Sequence, residues 1–228
     1  MKASFDLRAH LYANRYLYLL AATFIQVFFS AFFPDRETYL MTGITFTIFM
    51  LAILNFIGHS RKTIILFLFF AITSISLAWV PTESETGQRV FVAERIIVII
   101  FILLIIYQII AQIVKSKQVS LNMILGVITI YVLFGLLAGE CNQLIYFFNS
   151  EAFTGNVDFG DNADIRYYSY VTITTLGYGD IAPVSQIARA SAVFFSLTAQ
   201  IYLAVVIALI VGKYVSHSDQ KEFEELDK

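Results

Sequence analysis

The stretch Thr172-Ile173-Thr174-Thr175-Leu176-Gly177-Tyr178-Gly179-Asp180 decides how this chain is read. In an ordinary strand successive carbonyls point to opposite sides, so a strand cannot line one axis with consecutive oxygens. Gly177 and Gly179 remove that restriction. Each takes positive φ at no steric cost, so the peptide planes of Thr175, Leu176, Gly177 and Tyr178 can turn their oxygens the same way. Thr175 adds a hydroxyl at one end of such a tube, and the side chains of Leu176 and Tyr178 are expected to point outward and pack behind it. A Thr-rich strand ending in a Gly-Tyr-Gly-Asp turn would have the same letters. The long apolar segments on both sides argue against that alternative.

Composition sets the medium. Of 228 residues 58% are hydrophobic, 16% aromatic and only 14% charged, with a mean hydropathy of +0.74, far from soluble norms. A membrane protein is expected. The net charge of -2 gives no argument for nucleic acid. A single cysteine, Cys141, excludes an internal disulfide and a cysteine-built metal site. His10, His59 and His217 are scattered, so neither an enzyme nor a resident cofactor is expected.

A hydrocarbon core of about 30 Å needs about 20 apolar residues to cross it. Six segments qualify: 16–33, 39–57, 63–80, 96–114, 119–139 and 190–211. Pro34-Asp35-Arg36-Glu37, Gly58-His59-Ser60-Arg61-Lys62, the run 81–87 and Lys115-Ser116-Lys117 separate them. The first is too long for a signal peptide and lacks a small-residue cleavage site, so a retained helix is expected. With six crossings both termini share a side, and that side collects ten of the fifteen Lys and Arg. Basic residues stay in the cytoplasm, which predicts a multi-pass plasma-membrane protein with both ends inside. The segment 172–180 then lies near the outer surface.

The motif Thr174-Thr175-Leu176-Gly177-Tyr178-Gly179-Asp180 resembles the pore signature of the tetrameric potassium channel family, Thr-Thr-Val/Ile-Gly-Tyr/Phe-Gly-Asp, with Leu176 in place of Val or Ile. That resemblance implies an all-α membrane protein of six transmembrane helices, with a re-entrant pore helix and selectivity filter, assembled as a homotetramer among membrane lipid. It implies K+ as the permeating ion, held by oxygens of Thr175, Leu176, Gly177 and Tyr178 up to Gly179. Thr174, Asp180, Val171, Tyr167 and Tyr168 are the candidates for supporting the filter. Val171 stands where some members carry a glutamate that partners the aspartate, so a tyrosine hydroxyl from Tyr167 or Tyr168 is the expected substitute. Glu140 resembles the glutamate that ties the outer helix to the filter's rim.

The division expected is a cytoplasmic segment 1–15, a four-helix domain 16–117, a pore domain 118–215 and a short cytoplasmic tail 216–228. Asp161, Asn162 and Asp164 are N-cap candidates for a pore helix at 165–174, about 15 Å long and too short to span. The inner helix has Ala199 where the family often has a hinge glycine, and Gly212 is the alternative gating candidate. No basic residue occurs in 96–114, so the arginine ladder of a voltage sensor is missing and steep voltage dependence is not expected. Glu94 and Arg95 are placed to pair. The tail is too short for a sensor domain, which leaves room for a separate regulatory partner or ligand. Two other functions fit less of the sequence: a weakly selective cation pore, and a regulatory channel subunit that does not conduct.

Overall fold

Serine begins three of the long helices. Ser84 Oγ accepts from Gly87 N at 3.0 Å, Ser120 Oγ from Met123 N at 3.3 Å, and Ser185 Oγ from Ala188 N at 3.1 Å. Each hydroxyl satisfies one of the amide groups that a first helical turn leaves without a partner.

The computed structural model describes residues 7–28, 35–57, 84–115, 120–155 and 162–226, with five positions between 65 and 73. Its elements are α1 (Leu7–Ala13), α2 (Arg15–Phe28), α3 (Asp35–Ile57), α4 (Glu85–Lys115), α5 (Leu121–Phe148), β1 (Phe153–Thr154), α6 (Asn162–Ile173), β2 (Ala182–Pro183) and α7 (Gln186–Leu226). Among the described residues three helices are long and apolar enough to cross a bilayer: α4, α5 and the Gln186–Gly212 part of α7. The first two expected spans fall on shorter apolar helical stretches, Arg15–Phe28 and Ile44–Ile57. The third, 63–80, lies almost wholly outside the described residues.

Helix α5 is the hub, packing against α2, α4, α6 and α7. The core joins Leu19 of α2, Phe49 and Ile53 of α3, Ile102, Ile105 and Ile109 of α4, and Ile130 and Leu133 of α5. The spacing of 102, 105 and 109 keeps one stripe of α4 on this core, as the helical period requires. Tyr16 meets Phe56 edge-on at 4.9 Å and closes α2 onto α3. Four residues, 116–119, separate Lys115 at the end of α4 from the Ser120 cap.

Two helices run on beyond their apolar spans. The outer helix continues past Gly139 to Phe148, where Asn149 N bonds Ile145 O at 3.0 Å. Helix α7 continues through the expected tail to Leu226, because residues 213–226 contain neither Gly nor Pro and are rich in good helix formers.

Candidate functional site

Helix α6 has 12 residues, about 18 Å at 1.5 Å per residue, and cannot cross a bilayer. Two helices hold it in place. Asn142 of α5 donates from Nδ2 to Ser169 Oγ at 2.9 Å and accepts at Oδ1 from Ser191 Oγ of α7 at 2.7 Å. Its one amide thus joins α5, α6 and α7 in a buried polar link, and all three lose a partner if it is removed. The Tyr170 hydroxyl donates to Val132 O at 2.7 Å, and the ring fills the space where a Cβ on Gly135 would lie. The last carbonyls of α6 are partly satisfied: Thr172 O accepts from Ser196 Oγ at 3.4 Å, and Ile173 O from Tyr131 OH and Gln200 Nε2, both at 3.4 Å.

Beyond α6 the backbone turns sharply. Val171 O accepts from Leu176 N at 3.0 Å and Gly177 N at 3.2 Å, and Thr174 Oγ1 donates to Tyr170 O at 2.7 Å. Thr175, Gly177 and Gly179 have φ of 62°, 58° and 81°, while Leu176 and Tyr178 between them are not in the positive region. Alternation of this kind undoes the strand's left-right alternation of carbonyls and turns consecutive peptide planes alike. Among the described residues Thr175 is the one non-glycine with positive φ, a conformation that costs a β-branched residue about 1–3 kcal/mol. All residues from Thr174 to Asp180 are exposed on the subunit, and nothing lies within 4 Å of where a Cβ would sit on Gly177 or Gly179.

The Tyr167 hydroxyl donates to Asp180 Oδ2 at 2.7 Å. Bonded to that carboxylate, its phenol is held above its ordinary value. Tyr168 does not share this contact. Its ring packs on Phe153 at 5.0 Å in a small second cluster with Ala152, Ile165 and Ala188. Neighbouring helical residues point about 100° apart, so only one of the two tyrosines can face Asp180.

Glu140 pairs with a residue of α4. Its Oε2 lies 2.6 Å from Arg95 Nη1 of α4, with the two side chains 5% and 14% exposed. Glu94 Oε2 is 3.1 Å from Arg95 Nε, an ion pair without hydrogen-bond alignment. Glu140 therefore ties the outer helix to α4, which packs against it. Ala199 is fully buried, a Cβ on Gly212 would meet nothing within 4 Å outside its own helix, and α7 runs unbroken through both. Sequence reasoning paired Arg95 with Glu94 but missed Asn142 and the contact of Arg95 with Glu140. An asparagine within the apolar run of α5 was the available signal for the first.

Residues 123–216 match the protein family described as Ion channel, a segment that contains α6, the 174–180 turn and the apolar part of α7. A 69-residue stretch, 30% of this chain, is 32% identical to the potassium voltage-gated channel subfamily KQT member 1 of Felis catus and equally to that of Homo sapiens. It covers 12% of the cat protein and 10% of the human one, so the chain spans only about a tenth of the length of these relatives. Over residues 123–216 the chain is similar to ion channels, and over the 69-residue stretch to part of a potassium channel.

Proposed function

We propose that four copies of this chain form a passive K+ channel, with Thr175, Leu176, Gly177, Tyr178 and Gly179 of each lining a common axis. The observation that carries this is the alternating sign of φ over 175–179 in a segment exposed on the subunit. One such segment supplies a quarter of a ring, and a closed ring is what replaces the water around a cation. The bare apolar side of α7, where Phe194, Leu197 and Ile201 are exposed, supports assembly around that axis.

Conduction without steep voltage dependence is part of the same proposal. Residues 96–114 carry no charge to move through the field, and the nearby Arg95 is held by Glu94 and Glu140. The membrane concerned is the plasma membrane, with both termini on the cytoplasmic side. Leu176 changes what packs behind the filter and leaves its carbonyl unchanged, so selectivity for K+ over Na+ is retained.

The test is K+ and Na+ flux into proteoliposomes of the purified chain and of Gly177→Asp. K+ flux that exceeds Na+ flux and is abolished by the substitution is expected. Equal fluxes favour a weakly selective cation pore, and no flux from the unaltered chain favours a regulatory subunit. Flux that survives Gly177→Asp rejects the filter.

A further inference from the structure

The segment 174–180 has little regular structure of its own, and its outer end is held by residues far away in sequence. Strands β1 and β2 pair antiparallel, with Phe153 opposite Pro183 and Thr154 opposite Ala182. Pro183 has no amide to donate, so much of the binding comes from beside the ladder. Val184 N and Ser185 N donate to Ala152 O at 2.8 and 3.2 Å, and Thr154 Oγ1 donates to Ala182 O at 3.3 Å. Arg189 Nε at the start of α7 adds a bond to Pro183 O at 3.3 Å.

Gly155 follows β1 with φ of 103°, a conformation that residues with a Cβ rarely adopt. Nor is there room for one. A Cβ there would overlap the carbonyl oxygen of Asp180, with Asp180 C and Ile181 Cα each 3.3 Å away. Asp180 is thus held at its carboxylate by Tyr167 and abutted at its main chain by Gly155. The loop that brings Gly155 here is itself anchored: Ala152 is fully buried, and Phe153, 6% exposed, packs on Tyr168 of α6.

We propose that Phe153–Gly155 brace the outer end of the conducting segment, with Gly155 a positioning residue that fixes Asp180, so that ion discrimination depends on a backbone contact outside the pore motif. This rests on the filter assignment above. Carbonyl oxygens gathered on an axis repel each other whenever a cation leaves. A segment so short resists splaying only if both ends are fixed. Val171 O holds the inner end through Leu176 N and Gly177 N, and the brace holds the outer.

Gly155→Ala should keep K+ flux but lower the K+/Na+ flux ratio by about tenfold, the effect of one strained backbone position. A second arm joins the strands covalently through Thr154→Cys/Ala182→Cys in a Cys141→Ser background, since facing residues of an antiparallel pair lie within disulfide range. Oxidation should slow the loss of K+ flux after external K+ is withdrawn by about threefold relative to the reduced protein, because a fixed outer end closes off splaying. A folded Gly155→Ala protein with an unchanged ratio overturns the brace. If that variant does not fold, the cross-link decides alone, and equal rates in the oxidised and reduced forms overturn it. Flux that survives Gly177→Asp, or no flux from the unaltered chain, instead removes the filter assignment and the brace with it.

Discussion

Helices α5 and the Gln186–Gly212 part of α7 are equally apolar, yet 61% of the most apolar stretch of α5 is buried inside the subunit and only 11% of that of α7. Hydropathy says that both leave water. Burial says what they meet instead. Helix α5 is surrounded by its own chain, whereas α7 shows Val193, Phe194, Leu197 and Ile201 to whatever lies outside, lipid or a second copy. Substitutions should therefore act on folding in one helix and on assembly in the other.

The largest effect is expected where α5 carries charge. Arg95→Leu leaves the carboxylates of Glu94 and Glu140 buried without a counterion, at a cost of about 3–5 kcal/mol. Glu140→Leu leaves Arg95 its second carboxylate and should cost less, so the fraction of dispersed protein surviving a heat step ranks the two. The reverse order would break the account of α5 as a helix fixed by its own subunit.

A matched leucine pair sharpens the comparison. Leu133→Ala, at a fully buried site in α5, should destabilise the subunit by about 2–5 kcal/mol. Leu197→Ala, 57% exposed on α7, should stay within about 0.5 kcal/mol for the subunit while lowering the fraction of cross-linkable tetramer. Equal losses of subunit stability would erase the distinction between the helices.

A smaller effect belongs to the outer end of the proposed filter. Tyr167→Phe removes one exposed hydrogen bond to Asp180 and should reduce K+/Na+ discrimination a few-fold without unfolding the subunit. The smallest is with pH. Because the folded-state value of Tyr167 is raised, its contribution is complete below the ordinary phenol value near 10 and fades only as pH climbs through the raised one. K+ flux should stay level as external pH goes from about 7 to 9, a range below that ordinary value. A fall within it would remove this hydrogen bond from the account of that end.

The turn after α6 was legible because its chemistry is local: two glycines at a spacing of two say which peptide planes can rotate. The positive φ of Thr175 was not, since nothing in a threonine announces it. Whether Tyr167 or Tyr168 reaches Asp180 depends on the phase of a 12-residue helix, which its letters do not fix to within one residue. Gly155 lay in a polar stretch and looked like any loop glycine. Its role comes from pairing with residues nearly thirty positions later through strands of two residues, too short to leave a period in the sequence. The partner of Glu140 was hidden for a similar reason, because Arg95 sits 45 positions earlier on another helix.

The four residues between α4 and the Ser120 cap reach at most about 18 Å when fully extended, and the Arg95–Glu140 pair fastens the same two helices near their other ends. Stitched at top and bottom, the peripheral helices stay with the subunit that made them. If four copies form the ring proposed above, they come together as finished pieces rather than by interlacing. Protomers bearing different tags should then trade places between preformed rings without unfolding.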